Sequence, residues 1–367
     1  MLLLARKNLL LHKGRFALAV TGITCAVVLV LLLMSLYDGW RENMSAYLRH
    51  VQADLWVGKK GASDLFHTLS LLPAIGKQPL QEVTGVGQVS VFIGRLLTAE
   101  VRGQQRHAFV IGVEGEGNGP VEIVAGKGVL QEGEIIIDQV FARKERLQVD
   151  ETLTIAGKEL RIVGIARGGN CFLYQYAFVS VAQAKQLFGF ADLVNYFLVQ
   201  VSPGTNAQEV ASRIEQAASF VSAFPKEQFI ANNLSLTGDN FLPILRVLEV
   251  IGLIVGTVVI GLTISALTAE QSAEYGVLKA VGAPNRMLYW TAMQQALGCG
   301  LLGWVIGVPA SWGVVAIAQY FVPQFPAAMY PHQAFWMLGC TVGMSVFAAT
   351  IPVRRIAQID PLLAFKA

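Results

Sequence analysis

Hydrophobic and polar positions are distributed very unevenly along this chain. From Phe16 to Tyr37 there is no charged residue over 22 positions, slightly more than the about 20 needed to cross a hydrocarbon core. A cleaved leader would have a shorter apolar core and a small-residue cleavage site. Here the run meets Tyr37-Asp38-Gly39-Trp40, so an uncleaved signal anchor is expected. Val250 to Ala269 is again uncharged, with Arg246 and Glu249 before it and Glu270 after it. Met287 to Val353 carries no Asp, Glu, Lys or Arg, and at about 1.5 Å rise per residue it is too long for one helix. Pro323-Gln324-Phe325-Pro326, with Pro331 nearby, divides it. The pattern predicts spans at 16–37, 243–269, 287–319 and 333–351.

Between the first two spans, residues 38–242 alternate in the manner of short strands rather than long apolar runs. Arg41–Gln52 reads as a helix continuing out of the first span. Strands are expected at Ala53–Val57, Val86–Ile93, His107–Val113, Glu134–Asp138, Thr152–Ile155, Glu159–Ile165, Tyr176–Ser180 and Tyr196–Val201. Helices are expected at Gln139–Leu147, Ala182–Phe188 and Ala207–Ala218. The fold class is therefore an α-helical membrane protein with one transmembrane helix before, and three after, a mixed α/β extracytoplasmic domain.

Composition supports lipid as the solvent: 54% of residues are hydrophobic and only 14% charged, against about 25% in soluble domains. A net charge of +3 is too small to argue for nucleic acid. Its placement sets orientation. Arg6, Lys7, Lys13 and Arg15 precede the first span, Lys279 and Arg286 lie between the second and third, and Arg354, Arg355 and Lys366 follow the fourth. Residues 1–15, the 270–286 loop and the 352–367 tail are thus expected in the cytoplasm, and loop 320–332 outside. The 38–242 segment, with 18 Lys/Arg against 21 Asp/Glu, is expected outside as well.

Candidate chemistry is sparse. No G-x-x-x-x-G-K-[ST] loop occurs, and Gly112–Gly119, with Glu114 and Glu116, reads as a mobile, turn-rich loop that would repel phosphate. His12, His50, His67, His107 and His332 show no i, i+4 pairing, so no metal is expected. Cys171 is the one cysteine of the hydrophilic region; it has no internal partner there, which leaves only an intermolecular bond open to it. The spans hold no carboxylate or lysine relay of the kind an ion-coupled pump uses. Gln294 and Gln295 are expected to hydrogen-bond between helices. Gly252/Gly256 and Gly303/Gly307 form two G-x-x-x-G pairs, which are expected to pack a dimer. No cluster of aromatics or charges in the outer segment can be assigned to a ligand.

The segment from Glu270 to Arg286 is the most specific signal. Tyr275, Leu278 and Val281 share a face of a short helix that Gly282 can end and Pro284 prevents from continuing. Glu270, Glu274, Gly276, Lys279, Ala280, Gly282 and Ala283 fall on a pattern that resembles the coupling element of FtsX/MacB-type (four-helix, type VII) ABC transporter permeases. The closing Asp360-Pro361-Leu-Leu-Ala364 is similar to that family's tail. Glu134–Ile165 resembles its outer-domain core. Gln271 departs from the usual Arg, and Gln295 from a frequent Glu.

The resemblance implies a permease subunit without a fused ATPase, in the DevC-like organisation, with ATP and Mg bound by a separate cytoplasmic ABC ATPase and no cofactor in this chain. It implies that Glu270, Glu274, Tyr275, Gly276, Leu278, Lys279, Gly282 and Ala283 couple that ATPase to the membrane. Further implied are a second copy of the chain, contact with membrane lipid, and a periplasmic adaptor protein where the cell has a second membrane. The setting is a bacterial plasma (inner) membrane. The implied activity is export or extracytoplasmic handling of a hydrophobic or amphiphilic substrate by mechanotransmission. The alternative is a non-transporting regulator of an outer partner such as a cell-wall hydrolase. A membrane-anchored receptor without energy coupling is a third reading.

Overall fold

The computed structural model describes residues 13–115, 117–171, 174–270, 281–282 and 284–357. The elements in chain order are α1 (Lys13–His50), β1 (Leu55–Lys59), β2 (Leu72–Pro73), a 3-10 turn at Ala74–Gly76, α2 (Lys77–Gln81), β3 (Val86–Val101), β4 (Gln104–Val113), β5 (Glu122–Gly126) and β6 (Glu134–Asp138). They continue with α3 (Gln139–Glu145), β7 (Thr152–Ile155), β8 (Lys158–Arg167), β9 (Gln175–Ser180), α4 (Val181–Phe188), β10 (Leu193–Val194), β11 (Tyr196–Val201), α5 (Ala207–Ala217) and β12 (Val221–Pro225). Three long helices close the chain: α6 (Lys226–Glu270), α7 (Asn285–Phe321) and α8 (Pro331–Ala357).

These elements form two units. One takes α1 as far as Asp38, Leu242–Tyr320 and the chain from Ala327 onward; the other takes Gly39–Phe241 and Phe321–Pro326. In the first, four helices are long and apolar enough to cross a membrane: Phe16–His50, Pro243–Ala266, Tyr289–Phe321 and Pro331–Thr350. Ile23, Val27, Val30 and Leu31 of α1 meet Ile260 and Ile264 of α6, Ala296 and Cys299 of α7, and Met337 and Met344 of α8 in one core. The opposite faces stay apolar, with Val247, Ile251, Ile254, Val258 and Leu262 of α6 all exposed. A contiguous outward apolar face of this kind suits lipid and not water.

In the second unit, β3 is the organising strand. It is long enough to pair with β11 through its first half and with β4 through its second, and it also meets β7 at Ala99↔Ile155. The sheet order is β12-β1-β11-β3-β4-β9-β6-β8-β5, with β7 bridging β3 and β8. Six of the strands therefore close a ring, β3-β4-β9-β6-β8-β7 and back to β3. Each contributes an i, i+2 pair to one apolar core, as Ile135 and Ile137 do from β6 or Leu160 and Ile162 from β8. That is the strand period at work.

Local chemistry sets the joins. The β3–β4 and β7–β8 hairpins turn through Arg102-Gly103 and Ala156-Gly157, all four at positive φ, the two-residue geometry that matches strand twist. Asp138, Ser180 and Asn206 cap α3, α4 and α5 through their side-chain oxygens. The ends of α1 and α6 that belong to this unit pack on the sheet through aromatics. Tyr47 lies 5.4 Å from Tyr176 between ring centroids, and Trp56 stacks on Phe229 at 4.6 Å.

Among the described residues of 112–119, Glu114 and Asn118 are tied down, unlike the mobile loop expected there. The Glu114 carboxylate accepts from Lys77 Nζ at 2.7 Å and from the Val91 amide at 2.5 Å. Asn118 is buried, donates to Ser90 Oγ, and offers its carbonyl to the Tyr47 hydroxyl at 2.9 Å. The Glu114 carboxylate, one of the acidic groups expected to repel phosphate, here fastens the segment to its neighbours. Cys171 is buried as well, with its thiol pushed up to about 12 by that burial, so it offers no intermolecular disulfide.

Candidate functional site

Of the coupling residues expected between the second and third spans, α6 ends at Glu270 and Gly282 is placed; Glu274, Tyr275, Gly276, Leu278, Lys279 and Ala283 lie outside the described residues. Gly282 adopts φ +95°, the left-handed conformation that the reading of it as a helix terminator requires. Val281 beside it is 84% exposed. The Met287 amide donates to the Pro284 carbonyl at 2.9 Å as α7 begins.

The four G-x-x-x-G glycines face α1 of their own chain. A Cβ on Gly252 or Gly256 would stand 3.0 Å from Val30 or Ala26. On Gly303 it would come within 2.5 Å of Ile23, and on Gly307 within 2.7 Å of Val27. The close approach is spent inside one subunit, where all four glycines are buried. Around them, Thr24 Oγ1 donates to the Gly303 carbonyl at 3.4 Å and Trp304 Nε1 to the Ala334 carbonyl at 3.0 Å. At one end of the bundle, Gln333 Nε2 donates to Asp38 Oδ2 at 2.7 Å. Gln295 departs from its expected role. It is fully buried, yet among the described residues neither amide atom has a hydrogen-bond partner, and Gln294 Oε1 likewise has none.

Two family models match, and together they span nearly the whole chain. The MacB-like periplasmic core domain matches residues 16–217, and the FtsX-like permease C-terminal domain matches residues 246–361. The chain belongs to the FtsX/MacB-type family of ABC transporter permeases. An uncharacterized ABC transporter permease of Mycobacterium tuberculosis strain H37Rv is 21% identical to this permease over 368 residues, covering 100% of this chain and 99% of the relative. The macrolide export ATP-binding/permease protein MacB 1 of Yersinia pestis bv. Antiqua is 21% identical over 392 residues, covering 98% of this chain and 59% of that longer protein. Among solved structures, the extracellular domain of the noncanonic ABC-type transporter YknZ from Gram-positive bacteria covers 47% of the permease at a TM-score of 0.37 and 13% identity, itself matched over 100% of its length. The periplasmic region of MacB from Actinobacillus actinomycetemcomitans covers 53% at 0.38 and 10%, matched over 96% of its own length.

The permease's outer unit also contains a cavity that no pattern in the sequence announces. About 270 Å³ of space opens between the 65–70 loop, β3, β4, Tyr174 and the start of β11. Phe92 and Tyr196, both buried, form its floor, and Phe66, Phe109 and Tyr174 its aromatic wall. The Phe66 and Phe109 rings meet edge-to-face at 5.2 Å. Asp64, fully buried, builds the loop. Its Oδ1 accepts from the Phe66 and His67 amides at 2.8 and 2.7 Å and lies 2.9 Å from His67 Nδ1, while Oδ2 accepts from Thr68 Oγ1 at 3.0 Å. Burial alone would push this carboxyl up, but the hydrogen bonds from His67, Phe66 and Thr68 outweigh it and hold it below its ordinary value. Asn195 pins the other side, donating to the Ser70 carbonyl at 2.9 Å and accepting from the Gly94 amide at 2.8 Å.

A second buried carboxylate, Asp138, is pushed up to about 6, chiefly by burial. Backbone amides of Val140 and Gly169, at 2.7 and 3.0 Å, oppose the shift without cancelling it.

Proposed function

We propose that the chain is the membrane subunit of a two-component ABC system, coupling ATP hydrolysis by a separate cytoplasmic ATPase to export or extracytoplasmic handling of a hydrophobic or amphiphilic substrate. One observation supports transmission of force above all. α1 and α6, of 38 and 45 residues, each contribute residues to both units, and α6 carries Pro243 inside it. A helix passes displacement along its axis because each turn is hydrogen-bonded to the next, and an interior proline removes one such bond. ATPase closure on the 270–286 loop would displace the end of α6 at Glu270, and the other end of the same helix begins at Lys226, next to β12. The subunit works as a homodimer, with both termini in the cytoplasm and the α/β unit outside. Charge placement along the sequence supports that orientation.

The test is purification of the tagged chain from gently solubilised membranes. The expected result is a stoichiometric ABC ATPase that is retained by the wild-type chain and lost in Glu274→Lys. A clean chain without ATPase would remove the coupling reading and leave a receptor. ATPase activity that rises with a transported compound separates export from regulation of an outer partner.

A further inference from the structure

The polar side chains around the Asp64-built cavity are spent on holding it together. Thr68 Oγ1 donates to the Asp64 carboxylate, the Ser70 hydroxyl to the Asn195 carbonyl and the Tyr196 hydroxyl to the Asp64 carbonyl. Asn195 uses its amide in both directions, on Ser70 and Gly94. His67 meets Asp64 Oδ1 through Nδ1. A carboxylate only accepts, so Nδ1 carries the proton and Nε2 is left as an acceptor. Arg95 alternates along β3 with Phe92, Gly94 and Leu96. Its guanidinium lies away from the cavity, on the Phe188 carbonyl at 3.3 Å and 5.8 Å from the centre of the Phe190 ring. Among the described residues, no Asp or Glu lines the space. What remains is apolar: the aromatic wall and floor, with two exposed leucines at the lips, Leu69 at 69% and Leu96 at 39%.

An ion of either sign would lose water here without gaining a partner. An anion meets no cationic donor, and a cation meets no open carboxylate, because Asp64 is turned into its own loop and already takes four contacts. Attraction of a cation to ring faces is small beside the cost of burying an unpaired charge. A neutral ring bears no such cost, and it can meet the wall rings edge-to-face or offset.

The frame is set before any ligand arrives. The loop is tied to β3 through Asn195, to β11 through Tyr196, and to α6 through two asparagines. Asn233 Oδ1 accepts from the Leu65 amide at 2.9 Å, and Asn232 Nδ2 donates to the Ser63 carbonyl at 3.3 Å. Preorganisation of this kind lowers the ordering cost of binding. The volume lies just under the about 300–1,000 Å³ of drug-sized sites, which suits a body of one or two rings.

We propose that this cavity binds an uncharged small molecule by its aromatic ring, seated against Phe66, Phe109 and Tyr174, with any hydroxyl it carries left toward water at the leucine lips. The proposal deepens the functional reading by naming the chemical class that the outer domain handles, and it rests on that reading only for the ligand's fate. Binding is measured without nucleotide or ATPase, so a missing ATPase and a missing ligand site are separate results.

The experiment is equilibrium dialysis of 2-naphthylmethanol against the full chain in phosphatidylcholine nanodiscs, at about pH 8, above the ordinary imidazole range. Uptake by empty discs is subtracted, and 2-naphthylacetate and 2-naphthylmethylammonium serve as the anionic and cationic counterparts. The expected result is saturable one-to-one binding of the alcohol, at least tenfold tighter than that of either ion. Phe66→Ala should weaken it at least tenfold. Ile75→Ala, which trims an exposed apolar side chain outside the cavity, should leave it unchanged. Leu69→Arg places a charge at the lip and should bring the carboxylate within tenfold of the alcohol, a gain that no folding defect can produce. Uptake that rises without saturating, a wild-type preference for either ion, full affinity in Phe66→Ala, or continued exclusion of the carboxylate by Leu69→Arg would each overturn the proposal.

Discussion

Replacing Gly303 by alanine tests the helix contact on which the membrane core depends. The new Cβ would stand 2.5 Å from Ile23 Cγ2 and 2.8 Å from Ile23 Cβ, with the Thr24 amide nitrogen 3.4 Å behind. Ile23 is itself fully buried, so it has no open space to swing into. Forcing one extra carbon into a packed core costs about 1–3 kcal/mol. Against this, alanine in a helix interior gains about 0.5–1 kcal/mol over glycine. The clash wins, leaving a net loss of about 1–2 kcal/mol. Gly313, on the same helix, provides the control: nothing lies within 4 Å of its added Cβ. Gly313→Ala should therefore gain about 0.5–1 kcal/mol. At about 2–4 °C per kcal/mol for chains of 150–250 residues, and less for longer ones, the two variants should separate by several degrees. A thiol-reactive fluorogenic maleimide reads this directly, since Cys299 is fully buried until the bundle opens. Cys25, which is exposed, and Cys340, which is partly exposed, are first changed to serine. If Gly303→Ala raised the transition as Gly313→Ala does, the close packing of α7 on α1 would be refuted.

Other outcomes follow from the same geometry. Gln295→Met should stabilise the bundle by about 1–3 kcal/mol, because it removes a buried amide with no partner; a lower thermal transition in the same maleimide assay would show that the amide is satisfied. Asp64→Ala should cost about 3–5 kcal/mol in total by releasing the amide, imidazole and hydroxyl donors of the 65–70 loop, and limited proteolysis should then cut within that loop. For Asp138, the folded value of about 6 stands above the ordinary 3.8, so the folded state binds the proton more tightly. Its contribution is full below pH 4 and is lost as pH rises through 6, by about 3 kcal/mol at about 1.4 kcal/mol per unit. Asp138→Asn should remove that component from the wild-type stability-versus-pH curve, and identical curves would contradict the assignment.

The sequence made the local elements legible where alternation was strong. Glu134–Asp138, Thr152–Ile155 and Tyr196–Val201 form strands with the bounds their pattern predicts. The second half of β3 was hidden because Arg95 and Glu100 interrupt its apolar pattern, although Ala99 and Val101 of the same strand are buried. Val221–Pro225 was hidden by brevity and by the helix that follows it at once. Closure of the ring was not legible at all, since Ala99 meets Ile155 across a separation that no local pattern records. The cavity is invisible for the same reason. Phe66, Phe109, Tyr174 and Tyr196 come from four separate stretches and read singly as ordinary core. The reverse failure is the pair of G-x-x-x-G repeats. Small residues announce that a backbone will approach, but not whose, and here the approaching helix is α1 of the same chain.

The ring of six strands also dictates when this domain can finish folding. Synthesis delivers β3 and β4 early, yet β4 finds its parallel neighbour β9 only at Ala108↔Gln175 and onward to Val113↔Ser180. Until Ser180 has emerged, β4 presents an open apolar edge that can recruit the wrong strand. Pairings this distant in sequence form slowly, because a large loop must close before any contact rewards it. A nascent chain stalled before residue 180 is therefore the species that quality-control proteases and holding chaperones should recognise, whereas in the finished ring β4 is paired on both sides.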